Sequence, residues 1–230
     1  MPVRPEPQSF DHFAADCDRF ATLEPGTIRD WLVAQLPARG TRALDAGCGS
    51  GRHTLALAES YDDVVAVDIS EPLIAIARER RSRDNVRYRV CDLMSVMDRD
   101  GFDLVFSSTT LHHVPDLHAT LLHLRGLVRA GGRVVLIDNV ASQPTPPTWV
   151  QIVGAVRNYP GDVARLGRRQ AGWLLKFRTG APWLEHLASD RYLSRSAFEH
   201  QYAAVFPGGQ YHSLGYAHAL VWQKTATPDK

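Results

Sequence analysis

The stretch Asp45-Ala-Gly47-Cys48-Gly49-Ser-Gly51-Arg52 closes a short apolar run and leads into a helical pattern at Thr54–Ala58. Glycines at alternate positions after a strand make a tight turn whose backbone can approach a ligand closely. The helix that follows offers unpaired N–H groups at its start. An ordinary strand–helix turn with convenient glycines is the alternative, and three acidic residues in register with the turn count against it. The spacing is Gly-x-Gly-x-Gly, not the Gly-x-Gly-x-x-Gly of nicotinamide sites. Asp45, just ahead of the glycines, would repel a pyrophosphate but can accept from an ammonium group, so the turn suits a cation-bearing nucleoside. Asp68 ends the next apolar run, where a carboxylate can take two vicinal ribose hydroxyls. Its alternative is a helix-start aspartate before Ser70. Asp92 ends the third run, placed to accept the exocyclic amine of adenine; its alternative is a plain turn aspartate.

These carboxylates need strands to carry them to a common edge. Apolar runs lie at Thr41–Asp45, Val64–Asp68, Val86–Asp92, Phe102–Ser107 and Gly132–Asp138. Near-continuous Val, Ile and Leu is what strands covered on both faces require. Helical patterns separate them. Ser70 can N-cap a helix from about Glu71 to Arg83, with Pro72 tolerated in the first turn. Leu117, Leu121, Leu124 and Val128 recur at helical spacing, and Gly131-Gly132 is expected to stop that helix. Strand–helix alternation predicts a doubly wound α/β sheet. It breaks at the Pro-rich Ser142–Thr148 segment. Helix-like stretches follow from Trp149 to Tyr202, and then two runs, Gln210–Gly215 and Tyr216–Gln223, are joined by a turn tight enough to force antiparallel pairing. The expected fold is therefore a Rossmann-like, doubly wound, seven-stranded mixed sheet with an antiparallel final strand and a helical cap insertion. Its divisions are 1–40 as an N-terminal helical lid, 41–141 as the cofactor-binding core, 142–205 as the cap, and 206–230 as the hairpin completing the sheet.

Composition agrees. The chain has 230 residues, 44% hydrophobic and 22% charged, with a net charge of +1. That is ordinary globular content, and it gives no global field to recruit nucleic acid or anionic lipid. No apolar run approaches the roughly 18 residues of a membrane span. The opening MPVRPEPQSF has no apolar signal region, and Cys17, Cys48 and Cys91 read as reduced thiols, so a cytoplasmic location is expected.

Taken in order, Asp45–Gly51, Val67-Asp68-Ile69-Ser70, Cys91-Asp92-Leu93 and Phe102–Asp116, with its Ser-Ser-Thr-Thr-Leu-His-His-Val-Pro run, resemble the successive motifs of class I S-adenosylmethionine-dependent methyltransferases. The likeness is strongest to the broad small-molecule group called type 11. Leu127–Leu136 is similar to the helix and fifth strand that follow. The resemblance spans about residues 40 to 140 and implies S-adenosylmethionine as cofactor and S-adenosylhomocysteine as product. It implies that Gly47, Gly49 and Gly51 line the methionine and ribose part of the ligand, that Asp68 binds the ribose and that Asp92 binds the adenine; Asp45, Cys48, Ile69, Leu93 and Ser107 complete the candidate cofactor contacts. Many members carry a tyrosine on the N-terminal helix; here Phe10-Asp-His-Phe13 occupies that stretch, leaving Phe13 to pack over the ligand.

Methyl transfer from a sulfonium needs the acceptor held in line, roughly 3–3.5 Å away. A hydroxyl acceptor also benefits from a general base. His112 and His113 follow the fourth strand, His186 lies three residues past Trp183, and His212 lies on the final hairpin; these are the base candidates. For the first pair, a pocket-wall role is the alternative. No metal is expected, because adjacent histidines do not easily share a helix face and no third ligand stands out. Trp149, Trp183, Tyr192 and His212 are the candidate substrate contacts, although aromatic residues in the cap also read as its own small core. Between Gln151 and Arg178 stand six basic residues against Asp162 alone. That run is a solvated helix face, a seat for an anionic substrate group, or a phosphate-tracking patch. The expected activity is methyl transfer to oxygen or nitrogen of a small aromatic or polyketide-like metabolite, as in secondary metabolism. The alternative is an RNA- or DNA-directed enzyme using the basic run, which the near-zero net charge disfavours. A nicotinamide-dependent reductase or a silent scaffold is a third reading, and the glycine spacing opposes the reductase. A homodimer is left open.

Overall fold

Val64-Val-Ala-Val67 is apolar at every position, so its strand can be stable only if both faces are covered. Both are. Val65 and Val67 join Leu44, Ala46, Val105 and Leu136 on one side of the sheet, while Val64 joins Ala43, Leu104, Phe106 and Val135 on the other. The computed structural model describes residues 9–141 and 147–226. Most of the Pro-rich break at 142–148 therefore lies outside the described residues.

Seven strands form one sheet: β1 (Gly40–Ala46), β2 (Tyr61–Asp68), β3 (Val86–Val90), β4 (Phe102–Ser108), β5 (Val128–Asn139), β6 (Gln210–Leu214) and β7 (Ala217–Gln223). Their order is β3-β2-β1-β4-β5-β7-β6. The first five are parallel, and β7 runs antiparallel to both β5 and β6. Strand order reverses between β1 and β4, so their carboxyl ends flank the crevice where open α/β sheets bind ligands.

The helices are α1 (Ala14–Leu23), α2 (Thr27–Gln35), α3 (Thr54–Ser60), α4 (Glu71–Arg80), α5 (Leu117–Gly126), α6 (Thr148–Arg178), α7 (Ala181–Ser189) and α8 (Arg195–Val205). Ser70 caps α4 as expected, its hydroxyl accepting from the Leu73 N–H at 3.3 Å, and Asp116 caps α5 through the Ala119 N–H at 2.9 Å. The α5 helix stops at Gly126, earlier than expected. Gly131 instead turns the backbone within β5 (φ 77°), beside a register shift against β4.

One layer packs Ile28 and Leu32 of α2 and Leu57 of α3 on the sheet. The opposite layer packs Leu121 and Leu124 of α5 with Phe198, Tyr202 and Val205 of α8. Helix α8 falls within residues 142–205, yet its inner face is part of the sheet's main core. The cap helices are α6 and α7. The long α6 is broken at Gly167 (φ 77°, ψ 161°), which takes the chain out of helical geometry between two helical pieces.

Candidate active site

The turn after β1 is built around two carboxylates. Asp45 is buried at the end of the strand, and its carboxylate accepts from the Thr54 hydroxyl at 2.5 Å. Burial pushes its pKa up to about 7; the Thr54 hydrogen bond pulls the other way, and nearby Asp68 adds to the rise. Asp68 accepts from two backbone donors, Gly49 N–H at 2.8 Å and Ser70 N–H at 2.9 Å. Burial holds its pKa above the usual carboxylate range despite those bonds. A carboxylate has about four lone-pair sites, so two backbone donors leave capacity for a diol. Gly49 has φ 52°, and a Cβ there would meet nothing within 4 Å, so its backbone faces open space. Asp92 accepts from the Met94 N–H at 2.8 Å, which makes it the cap of a short helical turn as well as a cavity-wall residue.

Two expected cofactor contacts stand back from the cavity wall. Gly51 does not line the cavity: at φ 83° its missing side chain makes room for Tyr88, whose hydroxyl would lie 2.6 Å from a Cβ. Ser107 is wholly buried and donates to the Ala46 carbonyl at 2.7 Å, tying β4 to β1. Its neighbours Phe106, Ser108 and Thr109 line the cavity instead. Thr109 has φ 53°, a strained setting for a β-branched residue at the carboxyl end of β4.

A second cluster stands beyond that edge. His112 and His113 share one turn of 3-10 helix after β4 (Leu111–His113), with ring centroids 3.8 Å apart. His112 Nδ1 lies 2.5 Å from Asp138 Oδ1 at the end of β5. Asp190, just past α7, sits with its side chain buried among three imidazoles. Its Oδ1 is 3.9 Å from His112 Nε2, 3.5 Å from His113 Nδ1 and 3.6 Å from His186 Nε2. Tyr192 donates to the other oxygen of Asp190. Burial, with His112 and His186 adding to it, pushes the His113 pKa down to about 2, and burial also lowers that of His186. His113 is therefore neutral at ordinary pH. The expectation that two adjacent histidines lack a third ligand is corrected, because Asp190 closes the group: ligand atoms of His112, His113 and Asp190 all lie within 4.8 Å of one another. Neither Asp138 nor Asp190 was foreseen. Asp138 did end an expected strand, a signal equal to that of Asp68.

One cavity of about 860 Å³ joins the two clusters. It is near the upper end of small-molecule sites, roughly 300–1,000 Å³. Asp45, Gly47, Cys48, Gly49, Asp68, Ile69, Asp92 and Leu93 border one part, and His112, His113, Trp183, His186 and Tyr192 border another. Arg52, not expected from the sequence to take part, also borders it. Trp149 and His212 do not: Trp149 is 65% exposed, and His212 packs on Trp31, with ring centroids 5.4 Å apart. Phe13 packs near Phe177 and His186. Phe20, Phe177 and Trp183 meet at centroid distances of 4.8–5.0 Å, a small aromatic core shared by α1 and the cap. Two residues of the basic run are engaged internally. Arg178 pairs with Asp162 at 2.7 Å and Glu24 at 2.8 Å, and Arg165 pairs with Asp162 at 3.2 Å.

Residues 44–136 match a family model described as a methyltransferase domain. The chain is 36% identical over 130 residues to the 27-O-demethylrifamycin SV methyltransferase of Amycolatopsis mediterranei, covering 53% of this chain and 48% of that relative. It is 28% identical over 180 residues to the demethylmenaquinone methyltransferase of Staphylococcus aureus, covering 74% and 73%. The chain thus spans about half the length of the rifamycin relative. A solved DhpI–SAM–HEP complex shares the fold with TM-score 0.60 at 20% identity, covering 96% of this chain and 99% of that one. Strand order, glycine turn and the match over residues 44–136 are those of a class I S-adenosylmethionine-dependent methyltransferase domain. Among the described residues, no helix is long and apolar enough to cross a membrane.

Proposed function

We propose that the protein transfers the methyl group of S-adenosylmethionine to a hydroxyl of a small aromatic or polyketide-like metabolite, with an amine as the second acceptor class. The observation that carries this reading is the continuity of one cavity from the Asp45–Asp68 turn to the His112–His113–His186 cluster. At the first end, Asp45 faces the cofactor's cationic groups, Asp68 takes the ribose diol, and Asp92 with Leu93 borders the adenine. At the second, Trp183 and Tyr192 form an apolar wall that suits a planar acceptor and excludes water. In the reaction the methyl–sulfur bond breaks as the methyl–oxygen bond forms, and the acceptor's proton leaves to the imidazole–carboxylate cluster. Asp138 fixes the ring of His112 through Nδ1, which aims Nε2 away from β5 toward Asp190.

The rifamycin and menaquinone names of the relatives support a small, ring-bearing acceptor. The internal pairing of Arg165 and Arg178 weakens the basic run as a nucleic-acid surface. The test is incubation with S-adenosylmethionine and a panel of phenols, polyketide alcohols, aryl amines and oligonucleotides. Formation of S-adenosylhomocysteine and a methyl ether with a small hydroxylated compound is expected. Methylation of oligonucleotides alone, or no cofactor turnover with any acceptor, overturns the reading.

A further inference from the structure

Asp190 raises a question that acid–base chemistry does not answer. Its Oδ1 is buried and makes no hydrogen bond, yet imidazole nitrogens of three different residues approach it to 3.5–3.9 Å. A buried carboxylate oxygen without a donor is costly unless a cation meets it. His112 is held as a metal-ligating histidine usually is. Asp138 occupies Nδ1 of His112 at 2.5 Å, so in the tautomer that donates there the Nε2 lone pair points toward Asp190. Two lone pairs facing each other repel, and a positive ion between them reverses the sign. A carboxylate behind a ligating histidine is the usual outer support of a metal site.

From this geometry we infer a binding site for one divalent transition-metal ion, of the zinc or cobalt kind, held by His112 Nε2, His113 Nδ1 and Asp190 Oδ1. Metal–ligand distances of about 2.0–2.2 Å put tetrahedral ligand atoms roughly 3.3–3.6 Å apart. The His113–Asp190 separation of 3.5 Å falls in that range, the His112–Asp190 separation of 3.9 Å needs a few tenths of an ångström of closure, and the two histidine nitrogens, within 4.8 Å of each other, need up to about 1 Å. Imidazole and carboxylate together select such ions over magnesium or calcium, which prefer all-oxygen sets. Three protein ligands leave one position open, the pattern of catalytic rather than structural sites. Because His112 and His113 line the cavity, that position faces the acceptor end. The inference deepens the proposed function: the ion would bind the acceptor oxygen and lower its pKa, so that its proton would leave to solvent before the methyl–oxygen bond forms, in place of a bare imidazole base. Only this catalytic consequence rests on that reading, since metal binding can be measured without any acceptor.

The full chain, stripped with a chelator, is titrated calorimetrically with Zn²⁺ and, in parallel, with Co²⁺ followed by visible absorption. Expected are one ion per chain with micromolar or tighter affinity and the ligand-field bands of Co²⁺ in a tetrahedral nitrogen–oxygen set. Asp190→Asn and His113→Gln should each weaken binding by about 100-fold or more, and Asp138→Asn by about 10–100-fold. Affinity for S-adenosylhomocysteine, measured on each variant, separates loss of the metal site from loss of the fold. Wild-type binding weaker than about 1 mM, or equal binding by Asp190→Asn and His113→Gln, overturns the site. Turnover that persists in the chelated enzyme overturns the metal's catalytic role and leaves the methyltransferase reading standing.

Discussion

Asp45 sits at the edge of its titration. With a pKa near 7 it is largely protonated at pH 6 and largely charged at pH 8. A cationic ligand is attracted only to the charged form, so affinity for S-adenosylmethionine should rise across that interval. At pH 7, binding should release protons, seen as a calorimetric enthalpy that changes with the buffer's ionisation heat. In Asp45→Asn the pH dependence should flatten; an unchanged slope would remove Asp45 from this role. The linkage sign for folding is the opposite of a salt-bridged carboxylate's. Because the folded pKa lies above the ordinary 3.8, charging Asp45 weakens the fold as pH rises from about 4 to 7. Asp45→Asn should therefore melt higher than wild type at pH 8. The two glycines separate a binding role from a packing role. Gly49→Ala meets no neighbour and costs about 1–2 kcal/mol for its left-handed backbone, while placing a methyl against the bound ligand. Gly51→Ala carries the same backbone cost plus a clash with Tyr88. Melting temperature should fall further in Gly51→Ala, and cofactor affinity should fall further in Gly49→Ala.

Among elements, α8 is the instructive one. Phe198, Tyr202 and Val205 recur at spacings of four and three, the pattern of a helix with one buried face, and all three are fully buried against α5 and the sheet. Phe198→Ala should cost about 3–5 kcal/mol, whereas Trp149→Ala, at an exposed position of α6, should stay within about 0.5 kcal/mol. Chemical denaturation of both variants distinguishes core from cap; equal losses would contradict the assignment. Strands β1 to β5 were legible because continuous apolar runs admit few other structures, and their acidic ends marked the cofactor edge. The helix face in α8 was equally legible but is masked by the Arg- and Gly-rich sequence ahead of it. The histidine cluster was legible only in part. His112 and His113 stand out in sequence, but Asp138 reaches them through the pairing of β4 with β5, and Asp190 through the folding of α7 over the sheet. No local pattern reports either distance.

For the whole molecule, a near-neutral chain places its charge where the fold uses it. Asp18, buried in α1, pairs with Arg80 at 2.8 Å and Arg81 at 2.7 Å, clamping the N-terminal helix to α4. Arg178 does the same between α6 and α1 through Glu24. These ties hold the N-terminal helix and the cap along one cavity, so that cofactor and acceptor ends belong to a single space. That arrangement is the basis for assigning methyl transfer, and its cofactor end is directly measurable. Calorimetric titration of S-adenosylhomocysteine into the wild-type chain and into Asp68→Ala should give one site per chain with micromolar affinity, weakened at least about 100-fold by the substitution, or roughly 2.7 kcal/mol. Absence of binding by the wild type, or equal affinity in Asp68→Ala, would contradict the account.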